Sequence, residues 1–141
     1  MGLFDVELLD NDQLFQTLIL EIAPPGAYVA ADLDVDSYAE MPFITHFSTA
    51  VQDANANGLW TVTLTVSLFD EPATAFARVQ QLYKGIWGWD DPTKGIVPNI
   101  GAVERIEQEL SAFSRVGGEA QMENKTAIQY TGSWQLTARN H

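Results

Sequence analysis

The chain has 141 residues, no cysteine, nineteen acids against seven bases, and a formal net charge of −12. That length fits a single domain over 1–141, and a chain of this size buries about 68–70% of its unfolded surface without disulfides or metal staples. The missing cysteines exclude thiol catalysis, zinc–thiolate sites and a disulfide-stapled module, and an apolar fraction of 46% with 11% aromatics excludes a disordered chain.

The charge is unevenly placed. Residues 1–77 hold twelve of the acids and no lysine or arginine; from Arg78 onward seven bases balance seven acids. Gripping DNA or RNA needs clustered Lys and Arg, and holding an anionic membrane needs a basic patch. Neither is present. The acidic half therefore serves solubility or a salty compartment, or it forms a surface that must not hold a polyanion passing close by. Met1 to Glu7 has no basic region and no long apolar run, so no signal peptide is expected. No stretch approaches the roughly 20 apolar residues that span a bilayer. The expectation is a soluble chain made in the cytosol.

The first element reads as a helix, with Leu14, Phe15, Leu18, Ile19 and Ile22 on one face of a 3.6-residue period. Asp10, Asn11 and Asp12 supply caps and negative charge at its start, and Pro24-Pro25-Gly26 stops it. Leu3 to Leu9 is a leading turn or an arm. Ala27 to Tyr38 holds a short strand and an acidic loop. Phe43 to Val51 reads as a strand with Phe43, Phe47 and Val51 on one side, followed by an Asn-rich turn ending at Gly58. Trp60, Val62, Leu64, Val66 and Leu68 then alternate with Thr61, Thr63, Thr65 and Ser67, the pattern of an antiparallel strand with one buried face.

Asp70-Glu71-Pro72 switches the period, with a proline in the first turn of a second helix. Phe76, Val79, Leu82, Tyr83 and Ile86 give its apolar face, and Gly85 or Gly88 ends it near Trp87 and Trp89. Val103, Ile106, Leu110 and Phe113 fit a helical stripe and do not alternate as a strand should. Ile128, Tyr130, Gly132, Trp134, Leu136 and Ala138 alternate with polar residues in a last half-buried strand. The mixture predicts an α+β fold: a small antiparallel-type sheet packed against two or three helices.

Few residues carry chemistry. Asp32-x-Asp34-x-Asp36 with Glu40 behind it approaches a calcium loop, but Ser37 and Phe43 occupy the positions that need Gly and Glu. A solvated acidic edge fits better. His46 and His141 have no partners at ligand or triad spacing, so His46 reads as a packing or hydrogen-bonding residue. Ser48 and Thr49 form no nucleophile elbow, and Gly85-Ile86-Trp87-Gly88 lacks the lysine of a phosphate loop. Asn124-Lys125-Thr126 matches a glycosylation sequon but reads as a turn. Trp87-Gly88-Trp89 either caps the core or makes a subunit contact, since tryptophan is enriched at interface hot spots. No cofactor or metal is implied, and a carboxylate-dependent enzyme is the weakest reading.

The order of elements and the final Tyr130-x-Gly132-x-Trp134-x-Leu136-Thr137-Ala138-Arg139 strand resemble the tail terminator (tail completion) proteins of long-tailed bacteriophages. Those proteins commonly end in an aromatic–x–small–x–aromatic–x–Leu–Thr–x–Arg strand. In that family the region after the second helix is extended, which would make Val103–Val116 a strand, whereas the residue spacing reads helical. The resemblance implies a structural virion protein at the tail–neck junction. It would form a ring, usually of six subunits, on the end of the tail tube. The ring would end tube polymerisation and dock to head–neck connector proteins, with DNA passing through unbound and no membrane involved. On that reading Asp32, Asp34, Asp36 and Glu40 are candidate lumen-facing acids, repelling phosphate as DNA slides past. Trp87 and Trp89 are candidate subunit-interface residues, whose joint replacement by alanine would weaken assembly and leave the monomer folded. Another neck or tail connector, or a small α+β binding protein, is the alternative.

Overall fold

A computed structural model describes residues 7–31, 41–117, 120–122 and 125–141. In chain order these form α1 (Asn11–Ile22), β1 (Tyr28–Ala30), β2 (Phe43–Gln52), β3 (Leu59–Asp70), α2 (Pro72–Gly88), β4 (Ile96–Val97), β5 (Gly101–Arg115), β6 (Ala120–Met122) and β7 (Lys125–Asn140). The strands lie in the order β1-β2-β3-β7-β5-β4, with β6 pairing the start of β7. β1 runs parallel to β2; the other pairings are antiparallel. The α+β class holds, but the sheet is mixed and makes up most of the fold, not the small antiparallel one expected, and among the described residues it carries two helices.

α1 starts where the Asp10 carboxylate accepts from the Gln13 amide at 3.1 Å, and it buries Leu14, Phe15, Leu18 and Ile19. A twelve-residue helix is marginal alone. Four buried apolar side chains contribute roughly 1.5–3 kcal/mol each, far more than propensity differences of a few tenths per residue. Burial on the sheet, not propensity, makes this segment helical. It ends because Ala23 must be extended ahead of Pro24.

The central pair behaves as its alternation requires. Trp60, Val62, Leu64, Val66 and Leu68 of β3 are buried, and they stand opposite Ala138, Leu136, Trp134, Gly132 and Tyr130 of β7. Gly132 is small for a physical reason: a Cβ there would lie 2.9 Å from the Trp134 ring and 3.1 Å from the backbone of Phe113 and Ser111. On β2 it is Ile44, His46 and Ser48 that face the helices. Phe47 and Val51 share a side with Phe43, as the spacing implied, but that side is the outer one. Only Phe43 is covered there, between Tyr28 and Phe69 at ring-centroid distances of 5.5 and 5.7 Å.

The stripe at Val103–Phe113 belongs to a strand, and bulges explain why it looked helical. Val103, Ile106 and Glu109 of β5 stand opposite Ala138, Leu136 and Trp134 of β7. Those β7 partners are two residues apart, while the β5 residues are three apart, because one extra residue enters at each register shift. Repeated bulges thus stretch a two-residue period into a three-residue one. Glu109 takes the inward place at its bulge, and Leu110 is left 47% exposed. The Ile106 amide is capped from outside the ladder by Asp90 Oδ1 at 2.8 Å.

α2 begins with Pro72 in its first turn after Glu71 and buries Ala75, Val79, Leu82 and Ile86. Gly85 lies where the two helices touch: a Cβ there would come within 2.6 Å of Ile22 Cβ. Gly85→Ala gains about 1 kcal/mol of helix propensity, but overpacking against a neighbouring Cβ costs about 1–3 kcal/mol. The expected net result is a less stable protein, read as a lower urea midpoint. A raised midpoint would show that α1 shifts freely on α2.

Candidate assembly surfaces

Among the described residues the helices cover one face of the sheet and no helix covers the other, whose Thr, Ser and Gln side chains are half-buried or exposed. This second face is built by the other half of each alternation: Thr45, Phe47, Thr49 and Val51 on β2, Thr61, Thr63, Thr65 and Ser67 on β3, and Thr131, Ser133, Gln135 and Thr137 on β7. Hydroxyl and amide groups dominate it. Ser67 and Thr131 share a hydrogen bond of 2.8 Å across the strands, and Gln129 donates to Thr131 at 3.1 Å. In a chain of net charge −12, the middle of this face is without charge.

The charges collect at the Gly101–Asn140 end, around an open basin of about 700 Å³ lined by Asp53, Thr61, Glu104, Arg105, Glu107 and neighbours. Arg105 donates to Glu107 at 2.6 Å, and Thr137 donates to the same carboxylate oxygen at 2.6 Å. Those two bonds, the Arg105 one first, hold the Glu107 carboxyl below its ordinary range. Arg139 pairs with Glu104. Arg105 in the basin and Arg139 thus each have a carboxylate at hand.

Beside α2, an apolar groove of about 210 Å³ lies between Phe76, Val79 and Tyr83 on the helix and Phe113 on β5. Below it Glu109 accepts from the Tyr83 hydroxyl at 2.6 Å and from Trp87 Nε1 at 3.2 Å. The bond to Glu109, then burial, pushes the Tyr83 phenol above its ordinary value.

The two tryptophans proposed for a subunit contact divide. Trp89 is 1% exposed and rests on Phe15 of α1 with ring centroids 5.8 Å apart. It is core, and the expectation that it meets another subunit is corrected. Trp87 is half-buried and tied to Glu109, so only part of its ring is open to a partner. Asp32, Asp34, Asp36 and Glu40 lie outside the described residues, as does Asn124 of the sequon. His46 is buried, with Nε2 2.7 Å from Gln16 Oε1, and Gln16 in turn donates to the Val29 carbonyl at 2.9 Å. Asn11 reaches Ser48 Oγ at 2.6 Å. These polar contacts seat α1 on β2. Among the described residues no three acidic or histidine side chains converge as a metal site.

What the sequence did not single out are the exposed apolar side chains at the two flanks of the sheet: Phe47, 65% exposed, on β2 and Leu110 on β5. The alternation through Phe47, Thr49 and Val51 carried a signal, since it puts two apolar residues among threonines on the polar side. Leu110 carried none, because its bulge disguised it as part of the apolar stripe. A scan against protein-family models finds no match to this chain, and a search of curated proteins finds none either.

Proposed function

We propose that the chain is a structural subunit of a ring of the tail-terminator kind, set at the end of a phage tail tube between tube and head–neck connector. The observation that carries this reading is the sheet face that no described helix covers: a broad surface of Thr, Ser and Gln, uncharged at its centre, on a strongly acidic chain. A wall of that kind holds no phosphate, because counterion release needs clustered cations. Hydroxyl groups keep it wet. DNA confined beside it would slide, and the net charge of −12 adds repulsion. The final strand from Tyr130 to Arg139, whose small Gly132 is demanded by Trp134 and the β5 backbone, adds the family resemblance. In this role the residues close a ring and guide DNA without a catalytic step.

The test is assembly. Negative-stain images and light scattering of the purified chain, alone and mixed with tail-tube ends, are expected to show closed rings. Those rings should fail to shift duplex DNA in a gel at physiological salt. A chain that forms no ring in either setting, or that binds duplex DNA tightly, overturns the reading.

A further inference from the structure

The bases of this chain are few, and its arginines are largely answered by acids. Among the described residues Arg78 pairs with Asp70, Arg105 with Glu107 and Arg139 with Glu104. Lys84 and Lys94 have no described carboxylate within 4.0 Å. Both lysines are exposed, and they line one pocket of about 300 Å³ where the ends of α1 and α2 meet. Ile22 and the buried Trp89 back this pocket, and an added Cβ at Gly88 would meet nothing within 4 Å, so the helix backbone leaves it open. With Glu21 as its one acid, two lysines against one glutamate give the pocket a formal charge of +1 on a chain of −12.

A positive pocket on an acidic chain selects an acidic occupant, and residues 1–77 supply twelve acids with no lysine or arginine. One described stretch matches the pocket in both charge and shape. Leu8 is 87% exposed, the most of any large apolar side chain described. Glu7, Asp10 and Asp12 flank it in sequence, and all three are exposed. We propose that the Glu7–Asp12 stretch of one copy docks on the next, with Leu8 in the pocket over Ile22 and its flanking acids facing Lys84 and Lys94. This rests on the ring reading and names the contact that closes the ring.

Three features support it. First, placement: Leu8 precedes the start of α1 and the pocket lies at its end, about 18 Å away along a twelve-residue helix. Leu8 therefore cannot fill the pocket of its own copy. A contact between two different surfaces runs head to tail, as ring closure requires. Second, presentation: the stretch is held on both sides of Leu8's neighbours. Leu9 is buried, with Cδ1 2.8 Å from where a Cβ of Gly101 would stand, Asn140 Nδ2 donates to the Leu8 carbonyl at 3.4 Å, and Asp10 caps α1. Little ordering remains to be done on binding. Third, charge: pairing this stretch with itself about a two-fold axis would set acid against acid. The head-to-tail contact sets acid against lysine.

The experiment follows self-association of the full chain, by light scattering and negative stain, in five forms: unaltered; Leu8→Ala; Lys84→Glu with Lys94→Glu; Glu7→Lys with Asp12→Lys; and both charge reversals together. The altered side chains are exposed and Asp10 keeps its cap, so each variant should melt within a few degrees of the parent. Leu8→Ala and each charge reversal alone are expected to weaken self-association by about ten-fold or more. The reversal at Glu7 and Asp12 discriminates best. It replaces two acids by two bases and moves the net charge from −12 to −8, so relief of general repulsion would favour rings, whereas this contact disfavours them. With both reversals present the net charge is −12 again, each lysine faces an acid, and rings should return. If the unaltered chain forms rings and the Leu8 and charge variants form them as readily, this contact is wrong while the ring reading stands. Stronger association of the Glu7 and Asp12 variant, no recovery with both reversals, or a two-fold dimer of the unaltered chain also overturns it. If the unaltered chain forms no ring, alone or on tube ends, both readings fall.

Discussion

Trp89→Ala is expected to lower the unfolding free energy by about 3–5 kcal/mol, the range for deleting a buried tryptophan side chain. That is a large share of the roughly 5–15 kcal/mol a domain of this size holds. Trp89 sits at the end of α2, where its amide donates to the Ile86 carbonyl at 3.0 Å. Its ring fills the space under Phe15, so its loss empties a cavity between α1, α2 and the sheet. The surrounding helices are held by polar contacts and cannot simply collapse inward. Trp89→Phe should cost less than half as much. It keeps most of the apolar contact and removes an indole N–H that has no acceptor among the described residues, an arrangement that itself costs about 1–3 kcal/mol. Trp87→Ala, at a half-buried site, should cost about 1–2 kcal/mol, mostly through the lost bond to Glu109. Urea unfolding followed by far-UV circular dichroism measures all three. A Trp89→Ala variant within about 0.5 kcal/mol of the parent would return Trp89 to the surface. Loss of assembly in a joint Trp87 and Trp89 variant would therefore report a damaged core before it reported an interface.

The difference between these two tryptophans shows what local pattern can and cannot settle. An aromatic pair at a helix end is core or contact depending on what lies beyond it. Here that is Phe15, more than seventy residues earlier in the chain. The β3 and β7 alternations were legible because each strand carries its own record of which face is buried, whatever its neighbours. β5 was not legible, because its bulges are set by pairing with β7 and convert its period from two to three. The outward side of Phe47 could be read from its threonine neighbours, but not that β2 lies between β3 and the short parallel β1. Edge position is a property of strand order, and the parallel pairing of β1 beside β2 has no local signature. The acidic cluster at Asp32–Glu40 was the plainest charge signal in the sequence, and it falls outside the described residues. The sites that the structure adds, Phe47 and Leu110, are both products of topology.

Arg78→Leu is expected to cost about 3 kcal/mol, the lower end of the 3–5 kcal/mol for stripping the partner from a buried charge. Arg78 is the first base in the chain, and it goes to an internal acid. Asp70, at the end of β3, is fully buried, and Arg78 Nη1 lies 3.0 and 3.2 Å from its two oxygens. Thr74 Oγ1 donates to the same carboxylate at 2.8 Å. Without the guanidinium, one neutral hydroxyl is left to hold a buried negative charge. The lower end of the range applies because Arg78 is 36% exposed, so solvent screens part of the pair and water reaches part of the gap. Asp70→Asn alone should be milder, since the amide still accepts from Thr74 and no unpaired carboxylate remains. Combining it with Arg78→Leu should recover at least half of the loss. That recovery, read as coupling in a double-mutant cycle by urea unfolding at neutral pH, separates the charge from simple packing of the long arginine side chain. Additive losses would mean that the stem of Arg78, rather than its charge, fastens the start of α2 to the end of β3.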